Sequence, residues 1–282
     1  MKKLFISGLV LFVICFSLAC ISWFTFEKQD NKTNKIHENF DHKTINYLNV
    51  NTKLAKVNVK HGKDLAISYK GTKDIKVDKQ NGNLKIKEIN NNEDHYGLNF
   101  NPFKKMDSEL TITVPKKQEK SLNMYLNSET INISDLNLGK VNIKTTYSGG
   151  DGLFIKNAQF ENLKYRSKSA PVYLSNCVIK NSDIKTTREI NIKDSLLKSA
   201  VLLSKRSNIK LTHMKSASDI KASTNEGNIL MSYATKPKDT LLKLNPDDGK
   251  VQVDNKYFKN GKVGNSDNVL EFYTDSGNIH IK

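Results

Sequence analysis

From about residue 128 to the C-terminus, apolar residues recur in pairs two positions apart, and small polar residues precede each pair. The pairs are Ile131/Ile133, Val141/Ile143, Leu153/Ile155, Val172/Leu174, Ile190/Ile192, Ile209/Leu211, Ile229/Met231, Val251/Val253 and Ile279/Ile281. Between Ile155 and Met231 the step is about nineteen residues, within the range of solenoid repeats. A weaker series lies between them: Leu163/Tyr165, Ile184, Val201/Leu203, Ile220/Ala222 and Leu242/Leu244. Residues two apart on a strand face the same way, so each pair offers one inward face. A single pair cannot bury itself, but stacked on its neighbours it adds a rung to a continuous core.

The same alternation occupies the first part of the chain, at Ile45–Val50, Ala55–Val59, Leu65–Tyr69, Ile75–Val77, Leu84–Ile86 and Leu110–Pro115, with Asn81-Gly82 as a turn. Gly152, Asn208, Gly227-Asn228, Gly249 and Gly277-Asn278 stand before later pairs, where sharp corners suit residues that tolerate a left-handed backbone. Residues 90–108 break the pattern and read as a long loop. Its aromatics Tyr96, Phe100 and Phe103 are candidates for capping an open end of the solenoid or touching lipid headgroups. The fold expected is all-β: a single-stranded parallel β-solenoid, with right-handed winding suggested by crossover connections, preceded by one N-terminal transmembrane helix.

Leu110-Thr-Ile-Thr-Val-Pro115, the repeated Gly-x-Val/Ile-x-Ile rungs and the closing Asp275-Ser-Gly-Asn-Ile-His-Ile281 resemble the bacterial "putative adhesin" domain family of unknown function. The resemblance covers roughly residues 45 to 282 and rests on structural, not catalytic, motifs. The chain departs from it at Ser169-Ala170 and Thr187-Arg188, where glycine is missing. It implies a membrane-anchored β-solenoid, in some members alongside cell-envelope stress regulators.

Met1-Lys2-Lys3 precedes an uncharged run from Leu4 to Phe26, long enough to span a bilayer core with some tilt, and Trp23, Phe24 and Phe26 mark its outer end. An uncleaved anchor, a lipoprotein and a cleaved signal are the three readings. Run length favours the anchor, since Ser17-Leu18-Ala19-Cys20 departs from a lipoprotein box at Ser17 and the apolar run continues past Cys20. The basic start reads as an export signal, placing the large domain on the extracytoplasmic side of the cell membrane. The division expected is 1–26 anchor or signal-like segment, 27–43 polar tether and 44–282 solenoid.

In 282 residues the formal net charge is +16 and the hydrophobic fraction 37%. The only arginines are Arg166, Arg188 and Arg206. Lysine is a flexible point charge whereas base readout favours arginine, so sequence-specific nucleic-acid binding is not expected. Cys15, Cys20 and Cys177 have no metal-ligand or disulfide spacing, and Cys177 reads as core filler. Neither cofactor nor metal is implied, and the scattered histidines suit no catalytic triad. Lys144, Lys185, Lys193, Lys210 and Lys221 should point outward as ladders facing an anionic wall polymer, lipid headgroups or an envelope protein.

Two functions follow. One is a non-enzymatic, single-pass, membrane-anchored interaction or adhesin-like module at the bacterial envelope, with a place in stress signalling. The alternative is a carbohydrate-active β-helix enzyme, lyase or hydrolase, for which Asp183 and Asp219 in two Ser-Asp-Ile-Lys copies are the candidate carboxylates.

Overall fold

A computed structural model describes residues 2–26, 33–53, 55–89, 108–146 and 151–282. Lys2–Phe26 is one helix, and its Lys2–Ser22 portion is long and apolar enough to cross a membrane, as either an anchor or a signal sequence would be. Among the described residues the β-strands form two twelve-stranded sheets.

From Thr130 to Tyr233 the chain alternates between these sheets. Thr130–Ser134, Gly152–Lys156, Val172–Ser175, Ile190–Lys193, Ile209–Met214 and Ile229–Tyr233 stack in parallel in sheet I. Asn137–Thr145, Gln159–Ser167, Val178–Thr186, Leu196–Ser204 and Ile220–Glu226 stack in parallel in sheet II. Each coil thus contributes one rung to each sheet, and the inward pairs of both meet in a single core. The first series of apolar pairs is sheet I and the second is sheet II, with Val141/Ile143 belonging to sheet II instead.

Four strands of sheet II carry two consecutive outward residues between buried ones: Gly139-Lys140, Glu161-Asn162, Lys180-Asn181 and Lys198-Ser199. Strict alternation cannot place two neighbours on one face, so the sheet bends there. The bend resets the register of the following pair. Ala200 and Leu202 are the inward residues, aligned with Ser182 and Ile184 on one side and Ile220 and Ala222 on the other, while Val201 faces solvent. The expected Val201/Leu203 pair is therefore one residue out of register.

Corners are held by ladders of like residues. Asp135, Asn157, Asn176, Asp194 and His213 all adopt φ between 52° and 58°, and Asn157 and Asn176 each donate to the corner residue of an adjoining coil at 2.9 and 3.0 Å. At the other corner, the hydroxyls of Thr186, Ser204, Thr224 and Thr274 donate to the carbonyls of Ala170, Arg188, Ser207 and Gly227 at 2.7–3.0 Å. These buried hydroxyls satisfy turn carbonyls that water cannot reach.

Both ends depart from a simple ladder. Ile279–Ile281 lies between Ile229–Tyr233 and Val251–Val253, so the last two rungs stack in reverse chain order. The fully buried Leu270, Phe272, Ile279 and Ile281 take the interior place, and Val251 and Val253 stay exposed. At the other end, Tyr47–Asn51 and Lys56–Gly62 abut the regular coils, while Leu65–Gly71, Asp74–Gln80, Asn83–Ile89 and Glu109–Pro115 fold over them. Asn34–Phe40 closes sheet I, antiparallel to Leu65–Gly71. The polar segment 27–43 therefore contains a strand, because Ile36 and Phe40 pack against the core.

Candidate interaction surface

Register stacks single outward residues into columns, with neighbours in a column about 4.8 Å apart. On sheet II, Lys144 aligns with Arg166 and Arg166 with Lys185. The next column outward-facing on the same strands is Asn142, Lys164 and Asp183, and beyond it lie Lys140, Asn162 and Asn181. An open groove of about 440 Å³ runs between these last two columns. Tyr125, 39% exposed, extends the middle column beside Asn142, and Asn127 stands beside Lys144.

The patch holds Lys140, Lys144, Lys164, Arg166 and Lys185 against Asp183, whose carboxylate is taken by the Arg166 guanidinium. Arg166 also donates to the Asp183 and Tyr165 carbonyls at 2.8 and 2.9 Å, so it is fixed in place. Glu161 pairs with Lys180 at 2.6 Å at the margin. Among the described residues Lys144 and Lys185 form no ion pair, and both are exposed. The arrangement is a rigid, net-positive face with amide donors and acceptors along a groove. It can hold an extended anion through charge and hydrogen bonds together.

The five lysines expected to point outward as ladders are divided between the two sheets. Lys144 and Lys185 share the basic column. Lys221 is on sheet II but in the column of Asp183 and Val201, and it pairs with Glu271 at 3.3 Å. Lys193 and Lys210 are on sheet I, paired with Asp194 at 3.7 Å and Glu189 at 3.0 Å. Tyr96, Phe100 and Phe103 lie outside the described residues. Arg166, Lys164 and Tyr125 were not singled out from sequence. The recurring pair of adjacent polar residues in mid-strand was the available signal, because it marks the bend that aligns their columns.

The two Ser-Asp-Ile-Lys copies do not align either. Asp183 pairs through Val201 with Lys221, which leaves Asp219 two residues off the Asp183 column. Burial pushes the Asp219 carboxyl above its ordinary range, and the Val269 backbone N–H bond opposes that shift. Among the described residues no three His, Cys, Asp or Glu side chains are grouped as a metal site. Cys177 is buried near the Ile155 and Ser175 carbonyls, and burial raises its thiol pKa, which suits a packing role.

A membrane-length helix followed by a two-sheet parallel solenoid with ladder-stacked corners defines a repeat-type β protein whose distinctive surface is a face, not a deep pocket. The chain belongs to the Toastrack DUF4097 family, whose model matches residues 45–282. No curated protein matches it. It is similar in structure to a Bacteroides fragilis protein described as a "putative adhesin", at 13% identity and TM-score 0.49 over 89% of this chain and 98% of that one. It is also similar to a "putative lipid binding protein" of Parabacteroides distasonis, at 12% identity and TM-score 0.47 over 90% and 98% of the two chains. A "putative cell adhesion protein" of Clostridium sporogenes aligns at 14% identity and TM-score 0.28 over 89% and 99%.

Proposed function

We propose that this chain is a non-enzymatic, membrane-anchored interaction module, adhesin-like in its use of a surface, whose solenoid faces the extracytoplasmic side of a bacterial envelope. Its ligand is an extended anionic polymer of the wall, laid along the basic columns of sheet II. The observation that carries this reading is the in-register Lys144–Arg166–Lys185 column beside the amide-lined groove. The proposal keeps the helix as an uncleaved single-pass anchor, residues 44–282 as the solenoid and a right-handed, single-stranded winding. The proposal also gives Tyr96, Phe100 and Phe103 the role of capping an open end of the solenoid or touching lipid headgroups. A role in envelope-stress signalling would follow from occupancy of the face.

The test is binding of the full chain, in detergent, to a soluble polyanion such as polyglycerol phosphate. Lys144→Glu with Lys185→Glu should weaken binding about ten-fold, and wild-type binding should fall steeply with salt. Lys210→Glu on the opposite sheet is the control and should change little. Equal loss in the control, or binding insensitive to salt, would sink the proposal.

A further inference from the structure

Among the described residues Val251–Val253, the C-terminal edge of sheet I, is paired on one side only, in parallel with Ile279–Ile281. The Lys250 carbonyl accepts the Ile279 N–H at 2.9 Å, and the Asp254 N–H donates to the Ile281 carbonyl at 2.8 Å. Backbone groups alternate sides along a parallel ladder, so Gln252 also faces Ile279–Ile281. Val251 and Val253 therefore turn their own N–H and C=O groups to the open side. Their side chains are 44% and 39% exposed, and Lys250, Gln252 and Asp254 are exposed as well. The corresponding edge of sheet II is covered at its start, where Lys262–Val263 pairs antiparallel with Thr240 and Leu241. Sheet edges left bare and apolar are templates for strand addition.

We propose that a second copy of this chain adds its own Val251–Val253 antiparallel to this edge, across a two-fold axis through Gln252. The segment Lys250-Val251-Gln252-Val253-Asp254 is complementary to itself in that direction. Lys250 meets Asp254 of the second copy at both ends, Val251 meets Val253 twice, and Gln252 meets itself. The free backbone groups fit the same register. Each Val251 and Val253 exchanges both hydrogen bonds with its opposite number, and the two Gln252 residues fall at the non-hydrogen-bonded position, with Cα atoms about 4.5 Å apart. Asp254 is already held on the outward face by Gln252 Nε2 at 2.9 Å and His280 Nε2 at 2.6 Å, where the incoming lysine arrives. Such an isologous contact closes on itself as a dimer. It joins two solenoids tip to tip and leaves both basic faces open.

The test uses the full chain in detergent, with Cys15, Cys20 and Cys177 replaced by alanine. Gln252→Cys should form a disulfide-linked dimer on mild oxidation, because its position meets the Cα separation a disulfide needs. Lys250→Cys alone should not, and Lys250→Cys with Asp254→Cys should. Adding Lys250→Asp to the Gln252→Cys chain should cut the yield about ten-fold, by setting like charges opposite each other. Adding Asp254→Lys to that variant should restore it, which loss of folding could not imitate. Equal cross-linking of Gln252→Cys and Lys250→Cys would overturn the proposal. So would failure of the charge exchange to restore the yield, or a foreign strand bound at this edge with no self-cross-link.

Discussion

Gly277 has φ +148° and faces the neighbouring coil so closely that a Cβ placed on it would lie 2.1 Å from the Gly227 carbonyl oxygen and 2.6 Å from its carbon. That is more than 1 Å inside ordinary contact, and the obstacle is backbone, which cannot rotate away. Gly277→Ala must therefore part the two coils. The bonds at risk are Gly227 N–H to the Ser276 carbonyl and Ile229 N–H to the Asn278 carbonyl, both 2.9 Å. Two such bonds at about 1 kcal/mol each, with about 1–2 kcal/mol for the disfavoured backbone, give a loss of roughly 3–4 kcal/mol. Gly261 provides the internal control. Its φ is also positive, at +75°, but the nearest atom to a Cβ there is 3.9 Å away. Gly261→Ala should thus cost only the backbone part, about 1 kcal/mol. Urea unfolding followed by circular dichroism measures both variants. Native-state hydrogen exchange at Gly227 N–H, bonded to Ser276, and Ile229 N–H, bonded to Asn278, localises the damage to the opened coils. Equal destabilisation by the two variants would refute the claim that coil-to-coil approach, and not torsion alone, demands glycine at 277.

Thr224→Val removes the hydroxyl that donates to the Ser207 carbonyl at 3.0 Å inside a fully buried corner. It should destabilise by about 1–3 kcal/mol in the same urea titration, although the volume is unchanged. Asp219→Asn tests the raised carboxyl pKa. Because the folded value lies above the unfolded one, the native state binds the proton more readily, and wild-type stability falls as pH rises from about 3.8 through the folded value. The asparagine variant should accordingly gain stability near neutral pH and lose that gain below pH 3.8. A pH-independent difference between the two chains would remove burial of the charge as the cause.

Sheet I was legible because its strands are short and strictly alternating: Ile190 and Ile192 fix the inward face with no competing choice, and both are fully buried. Sheet II was less so, since the bend at two consecutive outward residues shifts the phase within one strand. Leu196, Leu197, Val201, Leu202 and Leu203 then give several plausible pairs, and only the neighbouring coils select Ala200 and Leu202. Asp219 misses the Asp183 column because two coils carry that column from Asp183 through Val201 to Lys221, two residues beyond Asp219. Reversal of the last two rungs could not be read from order along the chain, because it depends on which apolar pairs exclude water better. The strand at Asn34–Phe40 was hidden by its composition: Ile36 and Phe40 are its only apolar residues.

The distribution of charge bears on whether a net +16 is mere composition. Lysine scattered without function should meet acids equally often on both faces of the same coils. On sheet I, Lys193 and Lys210 have acidic partners, Lys156 has none among the described residues, and the middle outward column is filled by Phe154 stacked on Tyr173 at 5.1 Å, with Asn191 next to it. On sheet II, Lys140, Lys144, Lys164, Arg166 and Lys185 stand around Asp183, already bound by Arg166, with Glu161 paired to Lys180 at the margin. A single exposed lysine contributes little to binding. Four lysines held on one sheet can act on the same ligand together, and their spacing is set by backbone hydrogen bonds instead of by flexible loops. The scaffold thereby confers on a weak charge what it lacks alone, a fixed place. The asymmetry between the two sheets, more than the total charge, is therefore the reason to look for the partner on sheet II.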